Sequence, residues 1–241
     1  MATIVSPPTI TSQSIQYPSG DGTPVAETFD HLYAILITIE VLRQYLEDVQ
    51  ACVLGNQFLY YSEGFPRLKC APDVMVIFDV EPGSRDSYKI WEEGKIPRVA
   101  FEITSPGTRD KDEGFKKDLY EQIGIEEYWQ FDPKGQWIEE KLRGYRLVDE
   151  IYVPIVSSES QALGLRLEVS GALISFYRLD NGEKLLIPLE LRDKAQHLQD
   201  RLTLEQAKLL SEQARSLELE NQLNQAQAEI DRYRRQFGDL P

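Results

Sequence analysis

A chain of 241 residues, 41% of them apolar, is long enough to bury one sizeable α/β core and too apolar to be disordered as a whole. No apolar stretch approaches the ~20 residues that cross a bilayer. The start, MATIVSPPTITSQSIQYPSG, lacks the basic opening and apolar run of a secretion signal, so no membrane and a cytoplasmic setting are expected. A formal net charge of −14 excludes a generally basic surface for gripping phosphates. A nucleic-acid partner then needs a local basic strip or bound metal ions, or duplex DNA is not the main partner, and composition leaves all three open.

Residues 1–24, rich in Pro, Ser and Thr, read as an arm. From about Ala26 to Asp48, Leu32, Ile35, Leu36, Ile39, Leu42, Tyr45 and Leu46 fall near helical spacing, with Gly55 beyond the end. Short β-type runs follow at Gln57–Tyr61, Asp73–Asp79 and Pro97–Ile103. The polar segment EPGSRDSYKIWEEGK between the last two reads as a surface loop. Residues 109–123 look helical, with Phe115, Leu119, Tyr120 and Ile123 on one side, and Glu127–Phe131 is a further strand. This order implies a mixed sheet flanked by helices, in a domain spanning residues 25–188 whose last part, from Trp137, is mostly β.

Residues 189–241 differ sharply. From Leu189 to Phe237 there is no Gly or Pro, and Leu202, Leu209, Leu223, Ile230 and Phe237 lie on a repeat of seven broken at Ser216. The positions three residues on are Glu205, Glu212, Leu219, Ala226 and Tyr233, so only the later part makes a full heptad seam. A long helical tail is expected, either pairing as a coiled coil in a homodimer or packing on its own domain.

Cys52 and Cys70 lie outside any Cys-x-x-Cys pair and read as buried free thiols. His31 and His197 stand too far apart in sequence to suggest zinc.

Two acids stand out. Asp73 opens an apolar strand, where a simple turn residue is the common reading. Glu102 sits inside Val99-Ala100-Phe101-Glu102-Ile103, where an ionised carboxylate either faces water by alternation or binds a cation. Paired on adjacent strands, the two would form a hard-oxygen site for Mg²⁺ or Mn²⁺. Lys116 and Tyr120, four apart, share a helical face, whereas Lys117 points roughly a hundred degrees away. Solvated lysines on a helix are the ordinary account of that run. Tyr128, Trp129 and Phe131 read as core residues.

Ala-Pro-Asp-Val (71–74), Phe-Glu-Ile-Thr-Ser-Pro (101–106), Lys-x-x-x-Tyr (116–120) and Gly-Ile-Glu-Glu-Tyr-Trp-Gln-Phe-Asp-Pro (124–133) occur in this order. Together they resemble the Uma-type family, a restriction-endonuclease-like branch of the PD-(D/E)XK nuclease superfamily, over about residues 25–180. The resemblance implies that Asp73 and Glu102 hold the metal. The superfamily's lysine would stand two residues after Glu102, where this chain has Thr104. The Uma-type pattern places it on the following helix, where Lys116 matches and Lys117 is the neighbour. An acid on the first helix commonly joins such sites, and Glu27 fits that place, although a first-turn glutamate is also favoured by the helix dipole. The implied activity is metal-dependent hydrolysis of nucleic acid, DNA in the first place, with Asp73, Glu102, Lys116 and Glu27 as catalytic residues. The alternative is a nuclease-like fold kept as a binding or assembly module without hydrolysis. A third reading is hydrolysis of a nucleotide or another phosphate ester.

Overall fold

The computed structural model describes residues 15–22, 28–104 and 114–238. Glu27, residues 109–113 of the expected second helix and residues 1–14 and 23–24 of the N-terminal arm lie outside these. Helix α1 runs over Phe29–Tyr45, starting three residues later and ending three earlier than the pattern suggested. Thr28 sets its start, because the Thr28 side chain accepts a hydrogen bond from the His31 N–H at 3.4 Å. Ala34, Ile35, Thr38, Val41 and Leu42 recur at helical spacing and are buried. The buried stripe is therefore rotated from the expected one, and Leu32 and Leu36 are exposed.

The strands follow as β1 (Ala51–Gly55), β2 (Leu59–Tyr60), β3 (Lys69–Cys70), β4 (Val74–Phe78), β5 (Tyr88–Lys89), β6 (Val99–Ile103), β7 (Glu127–Phe131), β8 (Leu142–Val148), β9 (Ile151–Ile155), β10 (Glu159–Ser160), β11 (Leu165–Ser170) and β12 (Leu173–Arg178). Three helices join them in sequence, namely α2 (Ile90–Glu93), α3 (Lys116–Ile123) and α4 (Pro188–Phe237). A six-stranded sheet has the order β1-β4-β6-β7-β8-β9, with β6 and β7 parallel and every other neighbour antiparallel. The parallel pair requires a crossover, and α3 lies within it. The architecture is thus α/β with a mixed sheet, as a restriction-endonuclease-like fold requires.

Alternation divides the core. Val74, Val76, Val99, Phe101, Trp129 and Phe131 pack with α1 and β11–β12 on one face. Met75, Ile77, Ala100 and Tyr128 pack with Leu119 and Tyr120 of α3 on the other. Tyr128, Trp129 and Phe131 are all buried, as core residues should be.

Glu127 is buried, and its Oε1 accepts from the Arg146 guanidinium at 2.9 Å and from the Gln161 N–H at 2.9 Å. It ties β7 to β8 and to the chain after β10. Asp132 is buried as well and accepts four backbone N–H bonds, from Lys134, Gly135, Trp137 and Ile138. These fix the turn after β7. Gly144 on β8 leaves room for an indole, since a Cβ there would stand 2.6 Å from the Trp129 ring. Gly144→Ala is therefore expected to destabilise the protein by about 1–3 kcal/mol through overpacking, read as a lower midpoint in urea unfolding.

The chain divides into two units, residues 1–188 and 189–241. In the second, α4 has no glycine or proline after its first residue, and its leucines from Leu198 onward are exposed. Among the described residues no helix is long and apolar enough to cross a membrane.

Candidate active site

The site grows from the β4–β6 pairing. Val74 is registered opposite Phe101, and extending that antiparallel register by one residue sets Asp73 opposite Glu102. Asp73 is buried, and its Oδ2 accepts from the Ile103 N–H at 2.7 Å. His31 of α1 brings Nε2 to 3.7 Å from the same oxygen. A carboxylate at the start of a strand is thus aimed at the backbone of the neighbouring strand beside Glu102.

Glu102 does not face water. It is 0% exposed and lies on the α3-covered face of the sheet. Lys116 Nζ stands 2.6 Å from its Oε2, and the Tyr120 hydroxyl donates to its Oε1 at 2.5 Å. The four-residue spacing of Lys116 and Tyr120 lets one helical face reach one carboxylate. Lys117 points elsewhere, with its ammonium 4.6 Å from the centre of the Tyr145 ring. Burial pushes the Tyr120 hydroxyl well above its ordinary range, and the Glu102 charge pushes it further, so it stays a neutral donor. The Cys70 thiol is pushed up to about 12, first by burial and then by the Glu102 carboxylate, with Lys116 opposing. It therefore stays protonated at the wall of the site.

Of the four expected residues, Lys116 and Glu102 meet directly and Asp73 lies on the adjacent strand. Glu27 lies outside the described residues. Sequence reading missed several neighbours. Glu102 is registered with Gln130, and Gln130 with Arg143, so three polar side chains form a row across β6, β7 and β8. Arg143 Nε donates to Gln130 Oε1 at 2.8 Å, and Gln130 Nε2 donates to the Tyr128 hydroxyl at 3.0 Å. The glutamine inside Glu-Tyr-Trp-Gln-Phe was the available signal, since it too breaks an apolar strand. Thr104 is buried, and its hydroxyl finds no hydrogen-bond partner among the described residues.

The chemistry of the donor set bears on a divalent cation. Two buried carboxylates carry two negative charges, and Lys116 offsets one of them. Among the described residues no cluster of three His, Cys, Asp or Glu gathers around one point. Mg²⁺ is held by one or two carboxylates and completes its shell with water and phosphate oxygens, so Asp73 and Glu102 fit that use. Lys116 sets a cation against Glu102, and Arg143 adds a second two strands along the same row, a local basic feature within a net charge of −14.

A family model described as "Uma2: Putative restriction endonuclease" matches residues 9–174. No curated protein matches the chain. A crystal structure from Anabaena variabilis ATCC 29413, described as a putative nuclease belonging to DUF820, is similar at 14% identity. It covers 57% of this chain and 72% of its own, with a TM-score of 0.42.

Proposed function

Because this chain belongs to the Uma2 family of putative restriction endonucleases, we propose that it is a metal-dependent nuclease hydrolysing phosphodiester bonds of nucleic acid, DNA in the first place. The observation that carries this reading is the fully buried Glu102, held by Lys116 and Tyr120 next to Asp73. Glu127 is buried too, but its bonds tie strands together, whereas Glu102 sits opposite a second buried carboxylate, the pairing that a hard cation would join.

In this reading Asp73 and Glu102 hold Mg²⁺ or Mn²⁺, and Glu27 joins them directly or through water. The ion, when bound, supplies an activated water and offsets charge on the phosphate. Tyr120 fixes the Glu102 carboxyl group by its hydrogen bond, and the Ile103 N–H fixes Asp73. Lys116 carries its ammonium at the edge of the site, where it neutralises a non-bridging phosphate oxygen or orients the attacking water. Self-association through α4 is part of the same proposal.

One observation favours the second reading, a binding or assembly module. Both Glu102 oxygens are engaged by protein groups, so the carboxylate is stable without a metal. Titration calorimetry with Mn²⁺ and Mg²⁺ separates the two. Wild type is expected to bind, and Asp73→Asn to bind at least about tenfold more weakly, since one of two charged ligands becomes neutral. Folded wild type that takes up no metal at millimolar concentration, with or without oligonucleotide, leaves the module reading.

A further inference from the structure

The described part of α4 is a 50-residue helix, about 75 Å long. Leu198, Leu202, Leu209, Leu219, Leu223, Ile230 and Tyr233 are each between 47% and 69% exposed. All seven fall on one heptad frame. Its first seam position carries Ala195, Leu202, Leu209, Ser216, Leu223 and Ile230, and its second carries Leu198, Glu205, Glu212, Leu219, Ala226 and Tyr233. An apolar stripe of this length in water calls for a partner with the same period, and a second copy of the helix supplies it.

The polar middle decides the orientation. In a parallel pair each seam residue faces its own copy, so Glu205 meets Glu205 and Glu212 meets Glu212 at adjacent turns. Each is flanked by an uncharged glutamine, Gln206 or Gln213, and by a cation three residues on, Lys208 or Arg215, which reaches it only from the rim of the seam. Ala226 would also face Ala226 and Tyr233 face Tyr233, leaving one layer thin and another crowded. An antiparallel pair sets first positions against second positions. Centred near Ala214, it places Leu202 on Ala226, Ala195 on Tyr233, Leu198 on Ile230 and Leu209 on Leu219. Leu202 and Tyr233 then meet alanines, Glu205 faces Leu223 in place of a second glutamate, and Glu212 faces Ser216 beside Arg215 of the other copy. Arg201 of each copy flanks Glu229 of the other, giving two further opposite-charge pairs across the rod.

We propose that α4 pairs with a second copy of itself as an antiparallel coiled coil in this register. The orientation rests on the self-association proposed above and adds to it. Pro188, where the first unit joins the helix, then lies at opposite ends of a rod about 75 Å long. A parallel pair would instead bring both attachment points to one end.

The test uses full-length protein. Sedimentation equilibrium on wild type is expected to give twice the chain mass of 27.7 kDa. Mild oxidation of Leu202→Cys/Ala226→Cys is expected to yield at least tenfold more disulfide-linked dimer than Leu202→Cys or Ala226→Cys alone, with wild type as the background for Cys52 and Cys70. Leu198→Cys/Ile230→Cys gives a second, independent pair should the first perturb the helix. If each single variant links to itself as well as the pair does, the helices are parallel and the orientation is wrong, while self-association stands. If wild type sediments as the single chain at micromolar concentration, self-association and the orientation both fail.

Discussion

Lys116→Ala is expected to lower the stability of the metal-free protein by about 3–5 kcal/mol at pH 8, and divalent metal is expected to restore much of that loss. The magnitude is that of breaking a buried ion pair by removing one partner, which leaves the other charge uncompensated. Glu102 is 0% exposed, and in the variant the Tyr120 hydroxyl still donates to it while the ammonium at 2.6 Å is gone. Burial without the cation penalises the charged carboxylate left behind. A divalent ion on Asp73 and Glu102 takes over the neutralising role of the ammonium and binds only the folded state, so it should raise the midpoint of the variant more than that of wild type. Urea unfolding with and without millimolar Mn²⁺ reads both effects. A deficit independent of metal would mean that Lys116 acts through packing alone.

How far this was legible in the sequence depends on the range of the interaction. Glu127–Phe131 was readable because five strand-forming residues end at Asp-Pro, and they are buried as read. Strand β1 was missed because Ala51–Gly55 is a short apolar run without polar alternation, close behind the helical pattern that ends near Asp48. Strands β2, β3 and β5 are two-residue pairs held by the partner's backbone, and no local pattern specifies them. The loop expected before β6 carries β5 and the single turn of α2. On α1, local spacing gave helix but not the buried side, since apolar residues ring it and tertiary packing chooses the stripe.

The site divides the same way. Glu102 is conspicuous because a charge interrupts an apolar strand, and the spacing of Lys116 and Tyr120 favours Lys116 over Lys117. His31, Cys70, Gln130 and Arg143 reach the site through pairings between distant segments. Alternation along β7 would have put Gln130 on the Glu102 face only once the β6–β7 register was known.

Glu102→Gln is expected to remove divalent-metal binding and to lower cleavage by at least about 10³-fold, while the protein still unfolds cooperatively. The substitution keeps the shape of the side chain and an oxygen for the Tyr120 hydroxyl, so the sheet and α3 lose little packing. Lys116 loses its charge partner, but its side chain is 14% exposed, and its flexible stem can carry the ammonium to water. That asymmetry makes the glutamine variant the milder of the two for folding and the more severe for chemistry. An amide is a weak ligand for a hard cation, and a bound cation contributes several kcal/mol of transition-state charge stabilisation, each 1.36 kcal/mol being about tenfold in rate. The measurement pairs calorimetric metal titration with a cleavage assay on single-stranded and duplex DNA and on RNA. Metal affinity and cleavage should fall together. Cleavage lost with metal affinity intact would place the ion on ligands other than Glu102 and leave Glu102 a role in orienting Lys116. Cleavage retained in a folded variant would move the chemistry away from β6 altogether.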